Sequence, residues 1–172
     1  GSGVVDLLDV HALAAELNLA GPNLGPGENW VVIARGHTRT HDFGGYTGAD
    51  PRVIDASRHP DVNDVILAAD LLVTDYSSVM FDAAVARVPM AFFVPDLVGY
   101  RDRERGFTFD FEASAPGPLL DTRAEVVEVA RAGSAVTASG DAYEAWCARF
   151  MPHDDGHAAE RVVDELQARG AL

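Results

Sequence analysis

The stretch Asp70-Leu-Leu-Val-Thr-Asp-Tyr-Ser-Ser-Val-Met-Phe-Asp-Ala-Ala-Val-Ala-Arg-Val-Pro-Met-Ala-Phe-Phe-Val-Pro95 decides the predicted fold. Its two apolar runs, residues 71–73 and 90–94, are typical of strands buried on both faces. Between them we predict a tight turn over residues 74–78 and a helical segment that Pro89 closes. A strand-helix-strand unit of this size predicts two parallel strands. The chain is therefore expected to be an α/β protein with a parallel sheet and flanking helices.

Ser77 and Ser78 are the first candidate binding residues. They lie at the carboxyl end of a predicted strand, where the next helix begins. Free backbone N–H groups, two hydroxyls and the positive end of the helix dipole converge there, and phosphate is the anion usually bound in such a place. The alternative is that Asp75 and the serines only cap the helix, since Ser and Asp are ordinary caps.

A basic segment follows the predicted strand over residues 30–34. Arg35-Gly-His-Thr-Arg-Thr-His41 holds two Arg and two His, although the formal net charge of the chain is -14. Ligands of open α/β sheets bind at the carboxyl ends of strands, so an anionic ligand near Arg35, His37 and Arg39 is the economical interpretation. The alternative is a solvated loop whose histidine has partners within the fold.

Composition excludes several classes of function. The negative charge argues against nucleic acid or an anionic membrane as a partner of this segment. The chain has no Lys, which excludes a P-loop with its phosphate-binding lysine and a Lys Schiff base. No apolar run approaches the roughly 20 residues that span a bilayer. No His, Cys and carboxylate spacing typical of a metal site is present, so we expect neither a metal nor a cofactor.

The remaining chain reads as helices with one further strand. Apolar spacing and caps predict helices over residues 6–19, 61–69, 120–132, 139–150 and 156–168, and a short strand over residues 52–55. The segment from Asp96 to Pro118 is predicted to be a long aromatic loop that carries several arginines. Long loops of this kind are usually functional.

Taken in order, these motifs resemble one family. They are Arg35-Gly-His37, Asp61-Val-Asn-Asp64, Thr74-Asp-Tyr-Ser-Ser78, Phe81-Asp82, Tyr100-Arg-Asp102, Arg105-Gly-Phe107, Asp110-Phe-Glu112, Pro116-Gly-Pro118 and Asp154-Asp-Gly-His-Ala158. The chain resembles the CDP-glycerol:poly(glycerophosphate) glycerophosphotransferases, which are the teichoic acid polymerases and primases with related capsule polymerases. The match covers nearly the whole chain.

The resemblance implies the C-terminal half of a GT-B fold, in which two Rossmann-like domains enclose the active site. Residues 1–3 would be a tag remnant, residues 4–135 a Rossmann-like nucleotide-binding domain, and residues 136–172 C-terminal helices that pack on it. The N-terminal domain, which supplies the acceptor site and a second catalytic histidine in the family, would be absent. The fragment is therefore expected to be inactive alone.

The resemblance also implies roles for individual residues. His37 would be the catalytic residue, as a base or as a stabiliser of the pyrophosphate. Phosphate binding falls to Ser77, Ser78, Arg35 and Arg39; nucleotide and ribose binding to Asp82, Asp61 and Asn63; and the donor pocket to Tyr100, Arg101, Arg105, Asp155 and Gly156. Asp82 could instead be an ordinary carboxylate on a helix surface, and Asp155 an N-cap. Gly36 and Thr38 depart from the bulkier residue and Pro of many relatives, which affects donor detail.

The implied reaction is transfer of glycerol phosphate from CDP-glycerol to a hydroxyl of a growing teichoic-acid-like or capsule polymer, with release of CMP. The donor would be CDP-glycerol or a related CDP-polyol, and no metal is needed. The resemblance also implies a peripheral protein at the cytoplasmic side of the bacterial plasma membrane. In the family, the segments that contact the membrane lie outside this domain. The alternatives are a CDP-ribitol or UDP-sugar transferase on the same scaffold, or a nucleotide-binding module without catalysis.

Overall fold

The computed structural model describes residues 8–19, 29–36, 50–104, 106–132, 138 and 140–171. The strands within them are β1 (Val32–Ala34), β2 (Val53–Asp55), β3 (Leu72–Thr74), β4 (Met90–Phe93) and β5 (Leu119–Leu120). The helices are α1 (Val10–Leu17), α2 (Val62–Leu67), α3 (Val79–Val85), α4 (Leu97–Arg103), α5 (Phe111–Ser114), α6 (Arg123–Ala132), α7 (Asp141–Phe150) and α8 (Ala158–Ala168).

The strands form two parallel sheets. Strand β1 pairs with β2, and β4 lies between β3 and β5. Val73 of β3 faces Ala91 of β4 in register, which confirms the parallel strand-helix-strand unit. The sequence favoured a single parallel sheet, whereas the described residues form one sheet of two strands and one of three. Val32 of β1 and Val73 of β3 nevertheless pack against the same apolar cluster.

Strand β4 is buried on both faces. Met90 and Phe92 pack into the cluster formed with α3 and α7, whereas Ala91 and Phe93 pack into the cluster formed with α1 and α6. This alternation follows from the two-residue period of a strand. None of the four side chains is more than 4% exposed. Full burial of a side chain such as Phe92 contributes about 1.5–3 kcal/mol, so β4 is a main source of stability.

The prediction of a helix from residue 120 was wrong at its start. Leu119 and Leu120 instead form β5, which extends the sheet beside β4, and α6 begins at Arg123. Two apolar residues are too few to show the period of a strand. Only the pairing with Phe92 and Phe93 distinguishes a strand at this place from the first turn of a helix. The carboxylate of Glu125 accepts bonds from the N–H groups of Asp121 and Thr122, at 2.9 and 2.8 Å, and closes a capping box.

The segment from Asp96 to Pro118 also differs from its prediction as a loop, because it contains α4 and α5. Asp110 caps α5 by accepting from the N–H of Ala113 at 3.0 Å. Phe111, the first residue of α5, is 1% exposed and packs against Phe92 with ring centroids 5.1 Å apart. The short helices therefore form because a tertiary contact holds their aromatic residues, which helical spacing over four or seven residues does not indicate.

The two C-terminal helices differ in how they pack. Tyr143 and Trp146 of α7 are each 1% exposed and belong to the core beside α3. No residue of α8 is buried, and Val162 and Val163 remain 59% and 43% exposed. Within the described part of the chain, α7 therefore contributes to the core, whereas α8 contributes no buried residue.

The turn before β5 comes very close to β4 at Gly117, and we expect this position to require glycine. A Cβ built at Gly117 would lie 1.8 Å from the Met90 carbonyl oxygen, whereas one built at Gly140 meets nothing within 4 Å. We expect Gly117→Ala to lower the free energy of unfolding by about 3 kcal/mol, because the backbone must move to relieve the overlap. Gly140→Ala is the matched control in urea unfolding, and equal stability of the two variants would contradict the prediction.

The capping box should make stability depend on pH. Hydrogen bonds from Asp121 and Thr122 lower the pKa of Glu125 below its ordinary value of 4.5. A carboxyl whose folded pKa is lowered stabilises the fold above its unfolded pKa, and this contribution is lost as the pH falls through the folded value. The difference in melting temperature between the unmutated chain and Glu125→Gln should therefore be larger at pH 6 than at pH 3.

Glu128→Gln, on the same helix, is the control for this measurement. A pH-independent difference between Glu125→Gln and the unmutated chain would show that the carboxylate of Glu125 does not carry the effect.

Candidate functional site

The residues Asp75 to Ser78, here called the serine turn, join β3 to α3. The N–H of Ser77 donates to Asp75 Oδ1 at 2.9 Å, which closes the turn on itself. Ser77 Oγ accepts from the N–H of Val79 at a long 3.4 Å. Asp75 and Ser77 therefore serve the local backbone, as the capping alternative expected.

Ser78 is the more available of the two serines predicted to bind phosphate. It occupies the N-cap position of α3, yet its side chain makes no capping hydrogen bond and the residue is exposed. Asp82 is also exposed and lies four residues later, so the two side chains share one face of the helix. A hydroxyl and a carboxylate one turn apart can hold a phosphate and a nearby sugar hydroxyl.

The carboxyl end of β4 lies beside the serine turn. Because β3 and β4 are parallel neighbours, the residues that follow them emerge at one edge of the sheet. The Tyr76 hydroxyl donates to Asp96 Oδ1 across this edge at 2.9 Å. Burial and the neighbouring Asp96 carboxylate both raise the pKa of Tyr76, so its hydroxyl stays protonated and able to donate.

An aromatic cluster connects the serine turn to an open cleft. The ring of Tyr76 stacks on Tyr100 with centroids 4.0 Å apart and meets Phe107 edge-on at 5.4 Å. Phe107 in turn stacks on Phe111 at 5.0 Å. The cleft encloses about 730 Å³ and is lined by Arg101, Gly106, Phe107, Phe109, Asp110, Phe111, Glu112 and Ala113. Tyr100 and Arg101, both predicted for the donor pocket, thus lie at this cluster and cleft.

Arg101 is bonded to carboxylates. Its Nε lies 2.7 Å from Asp102 Oδ1, and its Nη1 lies 2.6 Å from Glu112 Oε1. These two bonds raise the pKa of Arg101 further above its ordinary value, so the guanidinium is always charged and already neutralised. Arg101 connects α4 to α5 along the rim of the cleft, and a phosphate would have to displace a carboxylate to reach it.

Arg35 and Asp61, two further predicted site residues, have structural partners. Arg35 Nη1 donates to the carbonyls of Ala56 and His59, at 2.7 and 2.8 Å, and so connects the end of β1 to the segment after β2. Asp61 caps α2 by accepting from the N–H of Asn63 at 2.8 Å. Asn63 itself is exposed. Their predicted roles in phosphate and nucleotide binding remain predictions.

Asp155 and Gly156 form the turn that begins α8. Asp155 Oδ1 and Oδ2 each lie 2.8 Å from Arg161 Nη1, and this pairing lowers the pKa of Asp155. Gly156 adopts a φ of 82°, a conformation that favours glycine. Asp155 Oδ1 also accepts from the N–H of His157, which is the N-cap residue of α8, so Asp155 lies in the turn before the cap and is not itself the N-cap. The predicted role of Asp155 and Gly156 in the donor pocket remains a prediction.

Three predicted site residues, His37, Arg39 and Arg105, lie outside the described residues. Within the described ranges, no group of three or more His, Cys, Asp or Glu side chains is arranged to hold a metal ion. Over the same ranges, every helix is too short or too polar to traverse a bilayer.

Tyr76 and Asp96 belong to the site although sequence reasoning assigned neither a role. Tyr76 lies within the Thr-Asp-Tyr-Ser-Ser motif, and Asp96 begins the long aromatic segment. The only signal was position, since each residue directly follows a strand of the central parallel unit.

The chain is similar to known proteins of one family. Residues 9–168 match the family described as CDP-Glycerol:Poly(glycerophosphate) glycerophosphotransferase. The teichoic acid poly(glycerol phosphate) polymerase of Bacillus subtilis (strain 168) is 38% identical over 92% of this chain and 20% of its own length. The teichoic acid glycerol-phosphate transferase of Staphylococcus aureus (strain NCTC 8325 / PS 47) is 35% identical over 81% of this chain and 36% of its own length.

Solved structures of the wall teichoic acid polymerase TagF have the same fold as this chain. One superposes with a TM-score of 0.76 at 28% identity and covers 94% of this chain but 38% of TagF. A variant of TagF soaked with CDPG superposes with a TM-score of 0.72. The chain thus spans between about a fifth and two fifths of the length of the relatives it matches. This chain belongs to the CDP-glycerol:poly(glycerophosphate) glycerophosphotransferase family.

Proposed function

We propose that this chain is the donor-binding domain of an enzyme that transfers glycerol phosphate from CDP-glycerol to a hydroxyl of a growing teichoic-acid-like polymer. The observation that carries the proposal is the exposed Ser78 hydroxyl, without a capping bond, at the end of β3 in a chain of this family. The soak of TagF with CDPG, which we take as CDP-glycerol, supports the choice of donor.

The proposed step is a displacement at the β-phosphorus of CDP-glycerol. An acceptor hydroxyl oxygen forms the new P–O bond while the bond from the β-phosphorus to the oxygen bridging the two phosphates breaks. That oxygen leaves with the electron pair as part of CMP, and the acceptor loses its proton to a base. Catalysis of this kind consists mainly of positioning and of stabilising the charge on the leaving phosphate.

The serine turn is assigned to the diphosphate. Ser78 Oγ would donate to a phosphate oxygen, and the first N–H groups of α3 would add further donors. Asp82, on the same helix face, would accept hydrogen bonds from the ribose hydroxyls. Helix α3 has only seven residues, so we assign most of the anion binding to these donors rather than to the helix dipole.

We assign one of two roles to His37: it removes the proton of the acceptor hydroxyl, or it stabilises the leaving phosphate. An imidazole can accept or donate a proton near neutral pH, which suits either role. Arg35, Arg39 and Arg105 would contribute positive charge to the phosphates and to the donor pocket, and Asp61, Asn63, Asp155 and Gly156 would lie near the nucleotide. These assignments follow from the motif resemblance.

The remaining parts of the proposal concern the rest of the enzyme. Residues 4–135 would form the Rossmann-like unit and residues 136–172 its C-terminal helices, within a GT-B enzyme whose N-terminal domain supplies the acceptor site. The enzyme would act at the cytoplasmic side of the bacterial plasma membrane as a peripheral protein. The extent of the relatives beyond the matched region supports a second domain.

CDP-ribitol is the second candidate donor. The teichoic acid ribitol-phosphate primase of Bacillus spizizenii (strain ATCC 23059 / NRRL B-14472 / W23) is 35% identical over 82% of this chain. The same diphosphate site would serve either polyol, so only the residues around the polyol would distinguish them. The higher identity to the glycerol phosphate polymerase favours CDP-glycerol.

Replacement of Ser78, the N-cap residue of α3, or of Asp82 within α3 should weaken donor binding. We expect Ser78→Ala and Asp82→Asn each to raise the Kd of CDP-glycerol about tenfold. Ser78→Ala removes the hydrogen bond that the hydroxyl would donate to a phosphate oxygen, and Asp82→Asn weakens the bonds that the carboxylate would accept from the ribose hydroxyls. Isothermal titration calorimetry on the 172-residue chain measures this, with CDP-ribitol and UDP-glucose as competing ligands.

Two matched controls are available for this titration. Ser114→Ala removes a hydroxyl that donates to its own helix, at the carbonyl of Asp110, and Asp164→Asn removes an exposed carboxylate from α8. Tighter binding of UDP-glucose than of CDP-glycerol, or no saturable binding of any CDP-polyol, would overturn the proposed function.

A further inference from the structure

Asp96 departs from the usual behaviour of a residue at the start of a helix. It occupies the N-cap position of α4, and an Asp there normally accepts a bond from the N–H groups of its own helix. Its side chain makes no such bond. Its Oδ1 instead accepts the hydroxyl of Tyr76, which is 20 residues away in sequence. The carboxylate therefore serves a contact between two strand ends in place of local helix stability.

Tyr76 is equally unusual within the serine turn. Its neighbours Asp75 and Ser77 bond to the local backbone, whereas the Tyr76 side chain reaches across to the segment that follows β4. Its ring contacts Tyr100, Phe107 and Phe111, at centroid distances of 4.0, 5.4 and 6.1 Å. Phe107 and Phe111 also line the cleft.

We propose that the Tyr76–Asp96 hydrogen bond is a positioning contact, which holds the serine turn in register with the aromatic cleft for binding of a nucleoside diphosphate. The inference rests on the proposed function of the serine turn. Stacking alone lets a ring slide within its plane, because aromatic contacts tolerate offset geometries. A charge-assisted hydrogen bond at the ring edge removes this freedom, since its length and angle are restricted.

The consequence for the ligand is specific. Ser78 is two residues from Tyr76, so a shift of the tyrosine ring moves the serine donors relative to the cleft. A ligand that uses both regions at once must match their separation, and a ligand that uses one region need not. Loss of the Tyr76–Asp96 bond should therefore weaken ligands that carry a diphosphate far more than ligands that lack one.

Two substitutions at Asp96 separate the hydrogen bond from the charge. Asp96→Asn and Asp96→Ala both remove the negative charge, but only the Asn side chain keeps an oxygen that can accept from Tyr76. We expect Asp96→Asn to bind CDP-glycerol about tenfold more tightly than Asp96→Ala, the size expected for one hydrogen bond to an aligned partner. Tyr76→Phe, which keeps the ring, should weaken CDP-glycerol about tenfold and change the Kd of cytidine less than twofold.

A double-mutant cycle tests whether the two residues act as one unit. If they do, Tyr76→Phe has no further effect on the Kd of CDP-glycerol in the Asp96→Ala background. Tyr143→Phe is the structural control, because it removes a buried hydroxyl that donates to the Val88 carbonyl at 2.8 Å. It should lower the melting temperature and leave the Kd values unchanged.

The outcomes distinguish this inference from the proposed function. If the unmutated chain binds CDP-glycerol and Ser78→Ala weakens it, but Tyr76→Phe does not, the positioning role is overturned and the proposed function stands. Equal losses for CDP-glycerol and cytidine, with a lower melting temperature, would assign the bond a purely structural role and also overturn it. Failure of the unmutated chain to bind CDP-glycerol would overturn both.

Discussion

The complete burial of β4 is the constraint on which the rest of the described structure depends. The strand is paired on both edges and packed on both faces, so it can neither slide nor rotate without loss of core contacts. Its parallel pairing with β3 brings the serine turn and Asp96 to one edge of the sheet. The candidate site is thus a consequence of the core, because the core determines where these two strand ends lie.

The same constraint acts from the other side of β4, through the turn before β5. Gly117 passes so close to the Met90 carbonyl that any side chain would overlap it. This approach lets Leu119 and Leu120 pair with β4. Helix α6, which follows β5, then packs on the face of the sheet away from α3 and α7. The backbone contacts of β4 therefore determine both how the core packs on this face and where the candidate site lies at the end of the strand.

Electrostatics sets the second condition on the site. Within the described residues, six arginines are paired with carboxylates, in the pairs Arg52–Asp50, Arg87–Glu144, Arg101–Glu112, Arg123–Glu16, Arg161–Asp155 and Arg169–Glu165. These six guanidinium charges are thus already neutralised by carboxylates of the chain. An anion at the serine turn would depend on hydroxyl and backbone N–H donors, with further charge from the basic segment after β1.

The sequence by itself determined the central strand-helix-strand unit, the helices α1, α2, α3, α6, α7 and α8 apart from the exact start of α6, and the family. These follow from local pattern, because apolar spacing, caps and motif letters are all read within a few residues. It did not determine β5 or α5, where Leu119, Leu120 and Phe111 contact β4. Nor did it determine α4, whose Tyr100 stacks on Tyr76. Nor did it indicate that Asp96 would leave its own helix uncapped and accept the Tyr76 hydroxyl. Only the tertiary structure decided that contact, because parallel pairing brings two strand ends together that lie 20 residues apart in the chain.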